Sequence, residues 1–545
     1  MFLDEGFVNW ENAGVRFIFV CGGVLSGLGK GIVTSSVGLL LKSSGFKVTA
    51  IKIDPYFSMD AGTMRPAEHG EVFVTKDGGE IDQDLGNYER FMNIDLTRDH
   101  NITSGKVYLN VINNERTFKY QGRDAEMFPD VINEIKKMLL EVAKDYEITV
   151  VEIGGTTGDL ENQPFLHAAR ELGREYKSVN VLVTYLPYLK NVGELKTKPT
   201  QHAVAGLRQI GVFPDFIVTR NEIPIDQPRR ETIANRCFVE RENIIDDPDT
   251  DCIYDTPLLL AKNKMAEKIL KKLGLKPRRH DLKQWQEFLD GIHNPVKTIK
   301  VALVGKYIQH GSAQLRDVYL SVFEAVRHAA ARLKINAEIV PFNSEEFEKK
   351  GNFSEDIRGI IVPQGWGSRG VEGKIAAVKF ARENKIPFLG LCFGMQMAVI
   401  EFARNVCGLT GANSTEVDEK TKYPVIHLMK DQEKYLKKHQ YGGTIRLGQW
   451  PAQIDKNSKL FKIYEKENVL ERHRHRYEFN NKYRKILEKK GLKIAAVSPD
   501  GKLVEAIELA DHPFFVGTQY HPELQSRPLS PHPLFLGFLE ACLKM

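Results

Sequence analysis

Residues 16–32 read Arg16-Phe17-Ile18-Phe19-Val20-Cys21-Gly22-Gly23-Val24-Leu25-Ser26-Gly27-Leu28-Gly29-Lys30-Gly31-Ile32, and this stretch decides the fold of the first half of the chain. An apolar run that suits a buried strand meets a glycine-rich loop, and a helical pattern starts at Ile32. Glycines let backbone N–H groups approach phosphate oxygens, while the helix amino terminus and Lys30 supply positive charge. The stretch therefore predicts a strand, a loop and a helix that bind a nucleoside triphosphate.

The same alternation of short β-branched runs and longer helical patterns continues along the chain. After Arg16–Cys21, the runs are Lys47–Ile53, Ile148–Ile153, Val179–Leu186 and Asp215–Thr219. A second series is Ile299–Val304, Ala337–Val340, Gly359–Val362 and Pro387–Leu391, and strands of another style follow at Gly443–Leu447, Lys493–Ser498, Leu503–Leu509 and Phe514–Gln519. Such alternation is typical of βαβ units around a mostly parallel sheet. We therefore predict an α/β protein with two domains.

A basic and polar stretch, Lys271–Lys297, separates the two series. A chain of 545 residues also exceeds the size at which a single core usually stops growing. We predict a phosphate-loop domain at residues 1–278, a linker at 279–298 and a second α/β domain at 299–545.

Composition narrows the partners and the compartment. The net charge of +5 is small for this length and forms no basic stripe, so we expect no nucleic-acid partner. The six cysteines are scattered without a CxxC pair, which favours a reducing cytosol. No apolar run is long enough to span a membrane, and Met1–Val15 lacks the basic flank of a secretion signal. We therefore expect a cytoplasmic protein with no membrane partner.

Magnesium ligands must come from outside the loop, because Gly31 stands where a phosphate loop normally carries Ser or Thr. Asp84 and Glu152 are suitable, since Glu152 ends an apolar strand and a buried carboxylate is costly unless it is paired or bound to metal. Magnesium typically takes one or two carboxylates together with phosphate oxygens. We predict Asp84 and Glu152 as metal ligands, with Asp82 as an alternative.

A second anion site is indicated by Lys196-Thr197-Lys198-Pro199-Thr200-Gln201, which directly precedes a helical stretch. The plain alternative is a solvated surface loop. An enzyme that handles two nucleotides would need such a site.

The second half contains Ile386-Pro387-Phe388-Leu389-Gly390-Leu391-Cys392-Phe393-Gly394-Met395-Gln396, a strand that runs into Gly-x-Cys-x-Gly and then a helix. This is the thiol counterpart of the strained elbow that exposes the serine of α/β hydrolases. The helix amino terminus favours the thiolate. We predict Cys392 as a nucleophile and the other five cysteines as structural residues.

A base and its orienting partner follow in Gln519-Tyr520-His521-Pro522-Glu523. Alternate positions after a strand place His521 and Glu523 on the same side. Gly365 can supply a backbone donor for the developing oxyanion. The pattern predicts acyl transfer through a thioester.

In this order, the segments resemble the CTP synthase family along nearly the whole chain, from about Arg16 onward. The further segments that carry the resemblance are Lys52-Ile53-Asp54-Pro55-Tyr56, His69-Gly70-Glu71-Val72-Phe73-Val74, Gly86-Asn87-Tyr88-Glu89-Arg90-Phe91, Val151–Thr156 and Glu471–Glu478. Each is weak alone, and the ordered series is highly specific.

The resemblance implies that the amino-terminal, amidoligase domain phosphorylates O4 of UTP with ATP, and that ammonia then displaces the phosphate to give CTP. Lys30 and Lys52 would contact ATP phosphates, while Asp84 and Glu152 would hold Mg2+. The residues implied for the UTP site, which inhibitory CTP shares in part, are Ser26, Asp159, Leu160, Glu161 and Lys196–Gln201.

The carboxy-terminal domain resembles class I glutamine amidotransferases, with Cys392, His521 and Glu523 as the triad. The residues implied for glutamine binding are Gly365, Phe393, Gly394, Met395, Gln396, Glu416 and Arg476. The resemblance also implies an internal ammonia tunnel near His69 and Val72, activation by GTP, and a homotetramer that assembles into filaments.

Three positions depart from the family pattern. The family usually has two glycines before the aromatic residue of the oxyanion segment, whereas this chain has Gln364 in place of the first and Trp366 as the aromatic residue. A lysine used near the uridine nucleotide is Thr232 here. Because Gly365 is retained, we expect glutaminase activity, while Gln364 and Trp366 leave its rate and glutamine affinity open. Thr232 bears on UTP affinity or on feedback by CTP.

Two competing interpretations use the same layout. Amidoligases that act on carboxylates of corrinoid-like acids also join a phosphate-loop domain to a glutaminase, but the segment Lys196–Gln201 favours UTP. The second is a nucleotide-sensing filament protein without catalysis. It is disfavoured by the intact triad and by the intact Lys30, Asp84 and Glu152.

Overall fold

The structure is a computed structural model that describes residues 14–306, 309–310, 313–314, 316–353, 356–429, 432, 434–435 and 442–545. The part of the first-domain and secretion-signal predictions that falls on residues 1–13 lies outside the described residues. The chain divides into two compact units. Unit 1 contains the described residues up to Met59, Asn87–Ile94 and Asp99–Lys283, and unit 2 contains Asp60–Gly86, Asp95–Arg98 and Gln284–Met545.

The first half of the chain alternates strands and helices, as its sequence pattern predicts. The strands are β1 (Arg16–Gly22), β2 (Val48–Asp54), β3 (Phe73–Val74), β4 (Glu80–Ile81), β5 (Asn101–Thr103), β6 (Ile148–Ile153), β7 (Ser178–Tyr185), β8 (Tyr188–Leu189), β9 (Glu194–Leu195), β10 (Phe216–Asn221) and β11 (Ile244–Pro248). The helices are α1 (Lys30–Ser43), α2 (Pro66–His69), α3 (Gln83–Met92), α4 (Ser104–Arg116), α5 (Ile132–Ala143), α6 (Gln163–Glu175), α7 (Lys198–Ile210), α8 (Gln227–Cys237), α9 (Thr256–Lys262) and α10 (Met265–Lys272).

Unit 1 is built on a seven-stranded sheet with the order β11-β10-β7-β1-β6-β2-β5. All of its strand pairs are parallel. Strands β2 and β6 are buried at every residue, because helices cover both faces of a parallel sheet. The carboxyl ends of parallel strands share one edge, which is where open α/β sheets bind ligands.

The second half has a longer and more mixed set of elements. The helices are α11 (Lys283–His293), α12 (Leu320–Arg332), α13 (Ser344–Lys350), α14 (Val371–Glu383), α15 (Phe393–Asn405), α16 (Lys459–Tyr464), α17 (Arg484–Lys489) and α18 (Pro533–Leu543). The strands are β12 (Thr298–Gly305), β13 (Gln309–His310), β14 (Ala313–Gln314), β15 (Asn336–Asn343), β16 (Ile357–Val362), β17 (Phe388–Leu391), β18 (Ala412–Ser414), β19 (Tyr423–Leu428), β20 (Arg446–Ile454), β21 (Asn468–His475), β22 (Tyr477–Phe479), β23 (Leu492–Val497), β24 (Val504–Leu509) and β25 (Phe515–Thr518).

Unit 2 contains a nine-stranded sheet with the order β15-β12-β16-β17-β25-β24-β23-β20-β21. The first five strands in this order, β15, β12, β16, β17 and β25, pair in parallel, and the remaining pairs are antiparallel. This confirms the two-domain α/β prediction, including the change of strand style towards the carboxy terminus. Among the described residues, no helix combines the length and the apolar character that a membrane crossing requires.

Two predicted features differ from the structure in detail. The strand predicted at Gly443–Leu447 begins at Arg446, because Gly443 has a φ of 64° and cannot extend a strand. The stretch Lys271–Lys297, predicted as the interdomain connector, contains the helix α11. The predicted domain boundaries remain a prediction, and the residues Asp60–Gly86 pack with unit 2 although they precede much of unit 1 in sequence.

Two candidate active sites

The loop between β1 and α1 has the conformation that its glycines predict. Gly27 and Gly29 have φ values of 74° and 81°, in the left-handed region that strains other residues. A Cβ atom at Gly22 would lie 2.6 Å from Lys30 Nζ and 2.8 Å from the carbonyl oxygen of Gly155. The loop therefore requires glycine both for its turn and for the close approach of its neighbours.

Lys30 places a positive charge at the carboxyl edge of the sheet. It begins α1, and its Nζ donates a hydrogen bond to Gly155 O at 3.1 Å. Gly155 follows β6, which pairs with β1. An ammonium group beside a helix amino terminus and glycine N–H groups suits a phosphate. The geometry supports the predicted role of Lys30, and its contact with ATP remains a prediction.

A buried cluster of charges surrounds the end of β6. Glu152 accepts hydrogen bonds from Lys52 Nζ at 2.9 Å and from the Tyr88 hydroxyl. Lys52 Nζ also lies 3.8 Å from Asp54 Oδ1, and Asn101 donates to the same carboxylate at 2.7 Å. The predicted cost of burying Glu152 is thus offset by pairing with a lysine. A carboxylate in this position also fits a magnesium ion whose other ligands are phosphate oxygens.

Asp84 lies in the first turn of α3, where its backbone N–H donates to Asp82 Oδ1 at 2.9 Å. Asp84 and Glu152 belong to different compact units, and their shared role as metal ligands remains a prediction. Within the described part of the chain, no group of three or more His, Cys, Asp or Glu side chains is arranged around a metal position. A site built from one or two carboxylates and a nucleotide does not need such a group.

The predicted second anion segment lies next to the phosphate loop. Thr200, in the first turn of α7, is buried with its hydroxyl 3.3 Å from the hydroxyl of Thr184. A Cβ atom at Gly23 would lie 2.8 Å from that same Thr184 hydroxyl. Lys196, just before α7, pairs with Glu194. The tertiary fold therefore brings together the two segments that the sequence predicts to bind anions, and their binding of two nucleotides remains a prediction.

The three residues Asp159–Glu161 follow β6 on the same edge of the sheet. Asp159 accepts hydrogen bonds from the backbone and, at 2.9 Å, from the hydroxyl of Thr156. Leu160 is 74% exposed, and Leu160 and Glu161 belong to a short 3-10 turn before α6. Their exposure leaves them accessible to a ligand, and their role in UTP binding remains a prediction.

Arg220 is a candidate phosphate-site residue that the sequence reasoning missed. It belongs to β10, and its Nε would lie 3.9 Å from a Cβ atom at Gly29 in the phosphate loop. It pairs with Asp247 at 3.0 Å. A basic residue at the end of a predicted strand was the available signal. Thr232, in contrast, lies in α8 and donates its hydroxyl to Pro228 O at 2.8 Å.

Cys392 occupies a strained elbow between β17 and α15. Its φ is 50° and its ψ is −98°, and its backbone N–H donates to Thr518 O at 2.7 Å. A Cβ atom at Gly390 would lie 2.8 Å from the carbonyl carbon of Gly394, and one at Gly394 would lie 1.9 Å from Val362 O. The Gly-x-Cys-x-Gly spacing is thus a packing requirement of this turn.

His521 is poised as an imidazolium beside the thiol. Its Nδ1 and Glu523 Oε1 are 2.7 Å apart, and Gln519 Nε2 donates to Cys392 Sγ at 3.5 Å. Burial alone would lower the pKa of His521, but Glu523 and Cys392 outweigh burial and raise that pKa to about 10. The three predicted triad residues are therefore together. Gln519 was not predicted, although it lies two residues before His521.

We call Pro363–Gly367 the oxyanion strip. Two buried lysines hold its carbonyl groups: Lys306 Nζ donates to the last two at 2.6 Å each, and Lys374 Nζ donates to the first at 2.8 Å. Both ammonium groups lie over the ring of Phe393, at 4.3 and 5.3 Å. Burial lowers the pKa of Lys306 to about 8 and that of Lys374 well below its usual value. Sequence reasoning missed both lysines.

Gly365 lines the same pocket as Cys392. The remaining candidate residues for glutamine lie close to the strip or to the elbow. Glu416 accepts a hydrogen bond from the backbone N–H of Gly367 at 2.7 Å, and burial raises its pKa against the opposing charges of Lys306 and Arg476. Gln396 lies in the first turn of α15, after the elbow.

Burial raises the thiol pKa of three cysteines away from the elbow. Burial raises the pKa of Cys21 to about 12 and that of Cys237 to about 11, and it also raises the pKa of Cys542. A thiol of this kind supplies almost no thiolate near neutral pH. Their surroundings agree with the structural role predicted for them.

Comparison with known proteins identifies the family. Residues 16–275 match the model described as CTP synthase N-terminus, and residues 314–541 match glutamine amidotransferase class-I. A CTP synthase from Methanocaldococcus jannaschii is 51% identical over 540 residues, which cover 97% of this chain and 98% of the relative. A CTP synthase from Caldanaerobacter subterraneus subsp. tengcongensis is 51% identical over 537 residues, with 97% and 98% coverage, and one from Sulfolobus acidocaldarius is 50% identical over 531 residues, with 96% and 99% coverage.

The chain belongs to the CTP synthase family. The resemblance seen in the sequence is thereby confirmed, as is the predicted enzyme class, a glutamine-hydrolysing ligase of the CTP synthase type. Membership therefore disfavours the two competing interpretations, the corrinoid-type amidoligase and the non-catalytic sensor. Which ligand each site residue binds in this CTP synthase family member remains a prediction.

Proposed function

We propose that this CTP synthase family member aminates UTP to CTP, using ATP and ammonia that it releases from glutamine. The observation that carries the proposal is the buried His521–Glu523 pair beside Cys392, together with two adjoining anion segments around the phosphate loop. We assign synthesis to an amidoligase domain at residues 1–278 and glutamine hydrolysis to a domain at 299–545, with a linker at 279–298.

In the glutaminase step, the Cys392 thiolate attacks the side-chain amide carbon of glutamine. The developing oxyanion receives a backbone hydrogen bond at Gly365. The C–N bond then breaks as His521 gives its proton to the leaving nitrogen, which departs as ammonia and leaves a thioester. Neutral His521 then takes a proton from the water that attacks the thioester, the C–S bond breaks to give glutamate and the Cys392 thiolate, and Glu523 stabilises the imidazolium that is restored.

In the synthetase step, O4 of UTP takes the γ-phosphoryl group of ATP, and ADP leaves. The nitrogen of ammonia then attacks C4, and the phosphate departs with O4. Lys30 and Lys52 neutralise the phosphate charge, and the UTP residues are those of the Lys196–Gln201 segment with Ser26 and Asp159–Glu161. Glu152 and Asp84 would hold Mg2+, which when bound would screen the charge of the phosphates.

Regulation and assembly are proposed from family membership. We extend to this chain activation by GTP, inhibition by CTP at part of the UTP site, an internal path for ammonia, and a homotetramer that forms filaments. Cytoplasmic localisation and the absence of nucleic-acid and membrane partners remain predictions from composition.

The test is to incubate the purified protein with UTP, ATP, magnesium and glutamine, with and without GTP, and to follow CTP formation. A parallel reaction contains ammonia in place of glutamine. We expect CTP from both nitrogen sources and stimulation by GTP with glutamine alone. A folded protein that binds ATP but forms no CTP from either source would contradict the proposal.

A further inference from the structure

One segment from the first half of the sequence packs in unit 2. Residues Asp60–Gly86, called the inserted segment here, fall within the residues that match the CTP synthase N-terminus model but pack in the unit that contains Cys392. Glu71 is its buried anchor: its backbone N–H donates to Asp317 O at 2.9 Å, and its carboxylate accepts from the backbone N–H of Ser321 at 2.8 Å. The segment is thus hydrogen-bonded, through Glu71, to other residues of unit 2.

Gln364 binds this anchor from the oxyanion strip. Its Nε2 donates to Glu71 Oε1 at 3.1 Å, across 293 positions of sequence. A carboxylate only accepts hydrogen bonds, so the amide nitrogen must face Glu71 and the amide oxygen must face away. Gln364 is one of the positions where this chain departs from the family pattern, because a glycine there has no side chain to reach Glu71.

The amide oxygen of Gln364 is a buried acceptor on a residue that lines the same pocket as Cys392. Within the part of the chain that the structure describes, Oε1 is buried and receives no hydrogen bond. Gln364, Glu71 and Cys392 line one pocket, which Val72 of the inserted segment also lines. A buried acceptor without a donor is unfavourable, and a ligand that brings N–H groups removes that cost.

A second contact ties the inserted segment to the thiol. Arg474 Nε donates to Glu80 Oε1 at 2.9 Å, and its guanidinium lies 5.5 Å from the centre of the Trp366 ring. The backbone oxygen of Arg474 is 3.8 Å from Cys392 Sγ. Gln364 therefore contacts the inserted segment directly, through Glu71, and Trp366 contacts Arg474, which is hydrogen-bonded to that segment.

We propose that Gln364 is the ammonia-retaining residue of the glutaminase pocket: Glu71 holds its nitrogen, so that its oxygen accepts a hydrogen bond from the ammonia released at Cys392. The inference rests on the proposed function, because it requires glutamine hydrolysis to feed CTP formation. Ammonia carries three N–H donors, and it is the product formed in this pocket. Gln364 thereby keeps the released nitrogen from escaping to solvent before amination.

The experiment measures the ratio of CTP formed to glutamate released from glutamine, with ammonium chloride as the nitrogen source in parallel. Gln364→Met keeps the length of the side chain and removes both the donor and the acceptor. We expect the ratio to fall about two- to tenfold, which is the effect of one lost hydrogen bond on a partition. Ammonium-dependent CTP formation should stay at the wild-type rate. Gln286→Met, at an exposed glutamine of α11, is the matched control.

A charge swap separates this role from a purely structural one. Gln364→Glu places two carboxylates against each other and should lower the ratio, whereas Glu71→Gln combined with Gln364→Glu restores a donor–acceptor pair and should raise it again. If Gln364 only supported the oxyanion strip, glutamate release and CTP formation would fall together and their ratio would not change. That result would overturn the inference. Failure of the wild type to form CTP from ammonium would instead contradict the proposed function.

Discussion

The phosphate-loop region of unit 1 and the thiol region of unit 2 lie at the carboxyl edges of parallel strands, but they are prepared for chemistry in different ways. At the thiol, Cys392 and His521 line one pocket, with His521 hydrogen-bonded to Glu523 and the Gln519 amide donating to the Cys392 sulfur. Around the phosphate loop, the charges are paired among themselves, as in Lys52 with Glu152.

This difference follows from the type of catalysis. A covalent mechanism needs a nucleophile, an acid–base group and its orienting partner in fixed geometry before the substrate arrives. Phosphoryl transfer depends on positioning and on charges that neutralise the phosphates, and those charges can pair internally until the nucleotide replaces one partner. Activity should therefore depend on the position of single atoms in the thiol region and on the presence of single charges in the phosphate-loop region.

The largest expected effect tests the independence of the two regions. Cys392→Ala removes the attacking sulfur and adds no bulk to the elbow. Glutamine-dependent CTP formation should fall at least ~10³-fold, because the covalent step is lost. CTP formation from ammonia should stay near the wild-type rate. Equal loss with both nitrogen sources, in a folded variant, would show that the regions are not separable.

The opposite variant is Lys30→Met in the phosphate loop. Loss of the ammonium group should lower CTP formation from both nitrogen sources by about 10²- to 10³-fold, as for the removal of one group that stabilises developing charge. Basal glutamate release without nucleotides should persist. Lys502→Met, at an exposed lysine, serves as the control. A loss of CTP formation with glutamine but not with ammonia would contradict this role and would place Lys30 in the glutaminase reaction.

The third variant, Glu523→Gln, tests the preformed ion pair of the thiol region. We expect glutamate release to fall by roughly 10²- to 10⁴-fold, since the partner that orients and stabilises the imidazolium is weakened. In the wild type, the raised pKa of His521 keeps the imidazolium proton until the pH passes about 10, so glutamate release should decline there. The variant should decline at lower pH. A pH profile that does not move would contradict the role of Glu523.

The smallest effect is expected at the support of the oxyanion strip. Lys374→Met removes the buried donor to Pro363 O, and the strip should hold glutamine less well. We expect the KM for glutamine to rise about two- to tenfold with little change in ammonia-dependent turnover. Lys379→Met, on the exposed face of the same helix, should leave KM unchanged. A lower kcat at constant KM would place Lys374 in the chemical step instead.

Sequence patterns predicted the parts of each site that lie within one strand–turn–helix segment. Gly390, Cys392 and Gly394 belong to a single turn, and His521 and Glu523 are two residues apart. The support beneath them was not predictable in the same way. Lys306 directly follows β12, Lys374 lies in α14 and Arg220 lies in β10, and a buried lysine has no local pattern that separates it from a solvated one.

The α/β character, the phosphate loop, the cysteine elbow and the family could be read from the sequence, and Cys392 was predicted as the nucleophile, because these depend on spacings of a few residues that one backbone turn fixes. Only the tertiary structure decided that the inserted segment packs beside the thiol and that Gln364 meets Glu71. Contacts between residues 293 positions apart depend on how whole elements pack, and hydrogen-bond partners of buried side chains follow from that packing. Local spacing thus gives the candidate reacting groups, and packing decides which residues hold them.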